Sequence, residues 1–107
     1  MFNLFGGGVQ GVSAGDLRGI LAGKGTIPVL LDVREKNEWD SGHVDGAVHI
    51  PLSQLMGRIK ELDASLAVVV ICRSGARSAQ GASILKKAGF KDVRNLSGGM
   101  IAWEMAG

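Results

Sequence analysis

Leu66-Ala67-Val68-Val69-Val70-Ile71-Cys72-Arg73-Ser74-Gly75-Ala76-Arg77-Ser78 is the stretch whose reading decides the fold. Its first six residues are apolar and largely β-branched, the signature of a strand buried on both faces and central in its sheet. Cys72 ends the run, Gly75 permits a tight reversal, and a helix from about Arg77 to Ala88 follows. Lys86 and Lys87 fall in its last turn, where cations suit the helix dipole, and Gly89 suits the position just past its end.

The same alternation continues outward in both directions. Upstream, Val9–Val12 reads as a first strand, and Ser13 as the N-cap of a helix carrying Leu17, Ile20 and Leu21 on one face. Val29–Val33 is a second strand, followed by a short polar helix over Glu35–Asp40 that Ser41-Gly42 closes. Ala47–Ile50 is a third strand, stopped by Pro51. Ser53 is placed to cap the next helix, with Leu52, Leu55, Met56, Ile59 and Leu62 along one side. Downstream, Val93–Leu96 is the last strand, and Gly98-Gly99 leads into a C-terminal helix in which Trp103 packs on the core. Strands that alternate with helices and carry continuous apolar runs predict an α/β fold: a parallel sheet flanked by helices on both faces. Ligands of such sheets bind beyond the carboxyl ends of the strands. Asp32 and Cys72 are the polar residues at such ends.

Bulk properties narrow the function. The 107 residues suit one domain, 46% of them are hydrophobic, and the formal net charge is only +2 with no block of like charges. Neither nucleic acid nor a membrane is therefore expected as a partner. The longest apolar run, Leu66–Cys72, is too short to span a bilayer. Met1–Phe5 makes a poor signal peptide, and Gly6-Gly7-Gly8 reads as a flexible joint. Residues 1–8 are thus expected to be a tail and 9–107 the domain. A single cysteine excludes an internal disulfide and fits a reducing, cytoplasmic setting. With only two histidines beside it, no metal site or cofactor is expected.

The loop after Cys72 has a definite chemical meaning. Gly75 lets successive backbone N–H groups converge on one point, and the next helix brings its unpaired N–H groups and positive end to the same place. Arg73 and Arg77 add charge; an arginine is disfavoured near a positive helix end unless an anion is present. A free cysteine titrates near 8.5, and lowering that by about 2 units takes about 2.7 kcal/mol of differential stabilisation. Such a cradle can supply it, and it would also hold an anion formed on the sulfur. These residues alone leave sulfur and phosphorus chemistry both open.

Three segments carry a resemblance. Cys72-Arg73-Ser74-Gly75-Ala76-Arg77-Ser78 is similar to the active-site loop of the rhodanese family. Leu31–Glu35, Glu38-Trp39, Ser41–Ala47 and Ile50-Pro51 are similar to its N-terminal signature, and Leu96–Trp103 to its C-terminal one. The resemblance implies a single rhodanese-like domain with a five-stranded parallel sheet. It implies thiosulfate sulfurtransferase activity: Cys72 takes sulfane sulfur from a donor such as thiosulfate, and its persulfide passes that sulfur to cyanide or a thiol. Backbone N–H groups from Arg73 through Gly75 and Ala76 to Ser78 would hold the persulfide, with the Ser74 and Ser78 hydroxyls as further donors. Asp32 and Arg34 are expected to form a supporting polar network beneath the loop with Glu38 or His43, structural rather than chemical.

Two rival readings have distinguishable signatures. Related phosphatases use a Cys-x₅-Arg loop, whereas Cys72 and Arg77 are separated by four residues, a tighter ring suited to one sulfur. An interaction module would need no cysteine. A persulfide carrier that delivers sulfur to a partner protein shares the sulfurtransferase chemistry. In either sulfur reading the lone cysteine requires an external acceptor, a small molecule or a protein.

Overall fold

The computed structural model describes residues 9–106; the expected tail over residues 1–8 lies outside the described residues. Five parallel strands form one sheet in the order β1-β5-β4-β2-β3. They are β1 (Gln10–Val12), β2 (Val29–Asp32), β3 (Val48–His49), β4 (Val68–Ile71) and β5 (Val93–Leu96). The helices are α1 (Ala14–Ala22), α2 (Lys36–Asp40), α3 (Leu52–Arg58), α4 (Ala76–Lys87) and α5 (Gly99–Ala106), with a 3-10 turn at Ile59–Glu61. Among the described residues no helix is long and apolar enough to cross a membrane.

β4 is the middle strand and all four of its residues are buried. Successive side chains of a strand point to opposite faces. Val68, Val70 and then Cys72 therefore join one core cluster with Leu55 of α3 and Ala82 and Leu85 of α4. Val69 and Ile71 join the other, with Leu17 of α1 and Met100 of α5. This parity sends the Cys72 side chain toward α4. Gly81 brings α4 close to the sheet, since a Cβ there would lie 3.2 Å from Val70 Cγ1.

Several sequence expectations are corrected in detail. The Ser13 cap is present, its Oγ accepting from the Asp16 N–H at 3.0 Å. Ser53 caps nothing: α3 begins at Leu52 with Pro51 in the cap position, because the Leu52 N–H is already tied to the Val33 carbonyl at 3.0 Å. Met56 is 74% exposed, so the apolar side of that segment runs through Leu52, Leu55, Ile59 and Leu62 without it. β3 is two residues long rather than four, an edge strand whose Val48 is exposed. Trp103 packs against the core as expected while staying only partly buried; the Arg18 guanidinium lies 3.8 Å above its ring and donates to its carbonyl.

Leu85 is fully buried between α4 and the sheet. Leu85→Ala is expected to lower unfolding stability by about 2–5 kcal/mol, read as a lower urea midpoint at unchanged slope. Met56→Ala should stay within about 0.5 kcal/mol.

Candidate active site

Cys72 follows the carboxyl end of β4 and is 1% exposed. The Gly75 N–H donates to its Sγ at 3.0 Å, and the thiol faces the Ser78 Oγ at 3.3 Å. Burial pushes the thiol up. Hydrogen bonds from the Ser78 hydroxyl and from the backbone N–H groups of Ser78, Gly75 and Ser74 outweigh that, so the thiol titrates below its ordinary value. The convergence depends on Gly75, which caps α4 with φ +114°, a left-handed conformation that glycine adopts without strain.

A second helix completes the cradle from behind. The first N–H groups of α5, at Met100 and Ile101, donate to the carbonyls of Cys72 at 2.9 Å and Arg73 at 3.1 Å. Unpaired donors of a helix start thus hold the loop's carbonyls outside, leaving its own N–H groups to face the sulfur. Gly99 makes this approach possible: a Cβ there would lie 2.4 Å from the Cys72 carbonyl oxygen and 2.5 Å from the Arg73 carbonyl carbon and oxygen.

The charged residues are arranged differently from expectation. Arg77 sits in the first turn of α4, and the anion that justifies it is Glu38 of α2. Both guanidinium nitrogens meet the carboxylate at 2.7 Å. The hydrogen bond from Arg77 is the main cause holding the Glu38 carboxyl down to about 2, while Arg77 is raised in turn. Arg73 is exposed and lines a cleft of about 190 Å³ with Arg34, Glu38, Ser41, Met100, Ile101 and Glu104. The Ser74 and Ala76 side chains are exposed as well, so what Ser74 offers the sulfur is its backbone.

Asp32 and Arg34 form the expected buried pair. Arg34 Nε lies 3.0 Å from both carboxylate oxygens, Nη2 lies 2.8 Å from Oδ2, and the Arg34 backbone N–H donates to Oδ1 at 3.0 Å. The further partner is neither Glu38 nor His43 but the Gly42 carbonyl, which takes Arg34 Nη2 at 2.8 Å. His43 is exposed, bonded through Nδ1 to the Trp39 carbonyl and stacked on the Trp39 ring at 3.4 Å. His49 also stacks on Trp39, at 4.8 Å, and its Nε2 meets the Arg34 carbonyl. The histidines thus brace α2 rather than the sulfur. Among the described residues no group of three or more His, Cys, Asp or Glu side chains is placed to hold a metal ion.

Sequence reasoning missed Asn95. It lies near the end of β5, its Oδ1 accepting from the Ser78 hydroxyl and its Nδ2 donating to the Gly75 carbonyl at 3.3 Å. The available signal was an asparagine, a poor strand former, in the four-residue strand Val93–Leu96.

Comparisons with known proteins agree with the fold. A family model described as rhodanese-like domain matches residues 13–106. A Bacillus subtilis protein whose name gives it a provisional sulfur-carrier role is 45% identical over 74 residues, covering 69% of this chain and 40% of that one. A thiosulfate sulfurtransferase of Shewanella oneidensis is 36% identical over 77 residues, covering 72% of this chain and 76% of that one. The crystal structure of a rhodanese-related protein from Thermoplasma volcanium superposes with a TM-score of 0.82 at 30% identity, covering 92% and 93% of the two chains. The chain spans 40% of the length of the first Bacillus protein and 59% of a second from that organism.

Gly99→Ala should lower stability by more than about 2 kcal/mol and raise the pH midpoint of Cys72 alkylation. An unchanged alkylation profile would mean that α5 does not shape the loop. The Glu38–Arg77 pair carries a pH signature. Because folding depresses the Glu38 carboxyl from 4.5 to about 2, its contribution is full above pH 4.5 and is lost as pH falls toward 2. Both side chains reach solvent, so the contribution is about 1 kcal/mol. Urea midpoints measured across that range should fall more steeply for the parent protein than for Glu38→Gln.

Proposed function

The chain belongs to the rhodanese-like domain family, and on that premise we propose that it is a sulfurtransferase that moves sulfane sulfur from thiosulfate or a similar donor to an external thiophilic acceptor. The observation that carries this reading is the Cys72 sulfur at the focus of a ring of N–H donors, 3.0 Å from the nearest, with its thiol held below the ordinary range.

The reaction divides into two displacements at sulfur. The Cys72 thiolate attacks the outer sulfur of thiosulfate; an Sγ–S bond forms, the S–S bond of the donor breaks, and sulfite leaves with the bonding pair. The persulfide anion keeps the charge that the thiolate brought, so no general base is needed. Its outer sulfur then passes to cyanide or a thiolate, and the Cys72 thiolate is regenerated. The N–H groups of Ser74, Gly75 and Ser78 and the Ser78 hydroxyl stabilise the anion in each state. Arg73, exposed at the cleft, draws the anionic donor in. Arg77 acts through Glu38, tying α4 to α2; the buried Asp32–Arg34 pair supports the segment before α2, and the exposed His43 braces α2 by stacking on Trp39.

Delivery to a partner protein is a second reading, supported by the likeness to the Bacillus subtilis protein whose name gives it a provisional sulfur-carrier role. Cys72 is the chain's single cysteine, so its sulfur must leave to another molecule. A reducing, cytoplasmic setting suits such a persulfide. Phosphoryl transfer fits poorly, because the arginine that would clamp a phosphoryl group is bound to Glu38. Neither a metal, a cofactor, nucleic acid nor a membrane enters the proposal.

Intact-mass measurement after treatment with thiosulfate and no acceptor should show one added sulfur atom on Cys72, removed by cyanide as thiocyanate. Cys72→Ser should abolish both. A parent protein that gains no sulfur from thiosulfate or from a small-molecule persulfide sinks the reading.

A further inference from the structure

Around Ser78 the structure sets out a competition for one hydrogen. The Ser78 side chain is fully buried and its hydroxyl has a single proton to give. Three acceptors surround it: the Gly75 carbonyl at 3.1 Å, Asn95 Oδ1 in close contact, and Cys72 Sγ at 3.3 Å. The orientation of the Asn95 amide is fixed by its other end. Nδ2 donates to the Gly75 carbonyl at 3.3 Å, and the opposite orientation would set two oxygens against each other there.

We propose that Asn95 is a positioning residue that directs the Ser78 hydroxyl hydrogen, holding it while Cys72 is a thiol and leaving it free for the sulfur once Cys72 is ionised or persulfidated. The inference rests on the persulfide reading and assigns that chemistry a further residue.

In the thiol state the hydrogens run in one direction, from Cys72 to Ser78 Oγ and from Ser78 to Asn95 Oδ1. When the thiol loses its proton, Ser78 Oγ loses a donor and the sulfur gains a demand for one. Rotation of the Ser78 hydroxyl meets that demand with no movement of the backbone. The Gly75 carbonyl does not intercept the hydrogen, because Asn95 Nδ2 and the Ala79 N–H already supply it. Without the amide, the Ser78 hydrogen loses its holder in the thiol state, and the remaining rival of the sulfur is the Gly75 carbonyl, still supplied by the Ala79 N–H.

The other charged groups near the thiol stay in place when Asn95 is changed. They are Arg73 in the loop, Arg77 on α4 with Glu38 on α2, Glu104 on α5, and the Asp32–Arg34 pair after β2. A shift in the titration of Cys72 therefore reports the hydrogen-bond change itself.

The test is a double-mutant cycle read on Cys72. The pH profile of iodoacetamide alkylation and the ultraviolet absorbance of the thiolate are measured for the parent, Asn95→Leu, Ser78→Ala and the double variant, with Asn95→Val as a strand-compatible replacement should leucine fail to fold. Ser78→Ala is expected to lower the thiolate fraction at neutral pH by about threefold or more, and Asn95→Leu, which removes the acceptor that holds the hydrogen from the sulfur, to raise it by a similar factor. The double variant is expected to match Ser78→Ala alone, because the amide acts through the hydroxyl. Additive shifts, or an Asn95 variant whose profile matches the parent, overturn the proposal. Failure of the underlying reading is seen separately: there the parent protein takes up no sulfur from thiosulfate or a small persulfide, whatever the cycle shows.

Discussion

The site depends on where two helix starts meet. α4 begins just past its cap Gly75 and α5 at Gly99, and both aim unpaired N–H groups at the end of β4. α5 takes the carbonyls of Cys72 and Arg73, so the loop is left with donors facing inward. A buried sulfur among apolar neighbours would otherwise resist ionisation. Here the donors overcome that resistance, and the charge on the sulfur is stabilised by backbone that other contacts already hold in place.

Charge is distributed around this centre with little surplus. Arg77 is matched by Glu38 and Arg34 by Asp32, which leaves Arg73 as the cationic side chain at the cleft without an ion-pair partner among the described residues. The paired arginines contribute rigidity: one ties α4 to α2, the other anchors the segment after β2 to the Gly42 carbonyl. Stacking of His43 and His49 on Trp39 stiffens the same segment. The anion cradle is thus largely backbone, with side chains bracing it.

What was legible in the sequence was whatever depends on neighbours a few residues apart. The apolar run of β4, the Ser13 cap and the left-handed Gly89 after α4 are local signals, and each is found where expected. The cradle around Cys72 was legible for the same reason, since its strand, turn and helix start are contiguous. The start of α3 was misplaced because a link to Val33, on another segment, overrides the local capping preference of Ser53. The pairing of Arg77 with Glu38 spans 39 positions, and the contact of Asn95 with Ser78 spans 17. No periodicity or turn rule reaches that far. The resemblance marked Glu38, Arg77 and Ser78 without saying which side chains meet, and it stopped one residue short of Asn95.

Cys72 is also the last member of the row Val68, Val70, Cys72 that faces α3 and α4, and it counts among the buried residues of that core. The Cys72 sulfur and the packing of the domain are therefore one mechanical system. Local opening of the α4 face, which in proteins generally precedes global unfolding, would carry the sulfur away from its donors while most of the sheet stayed intact. Loss of packing on this face is therefore loss of the cradle as well.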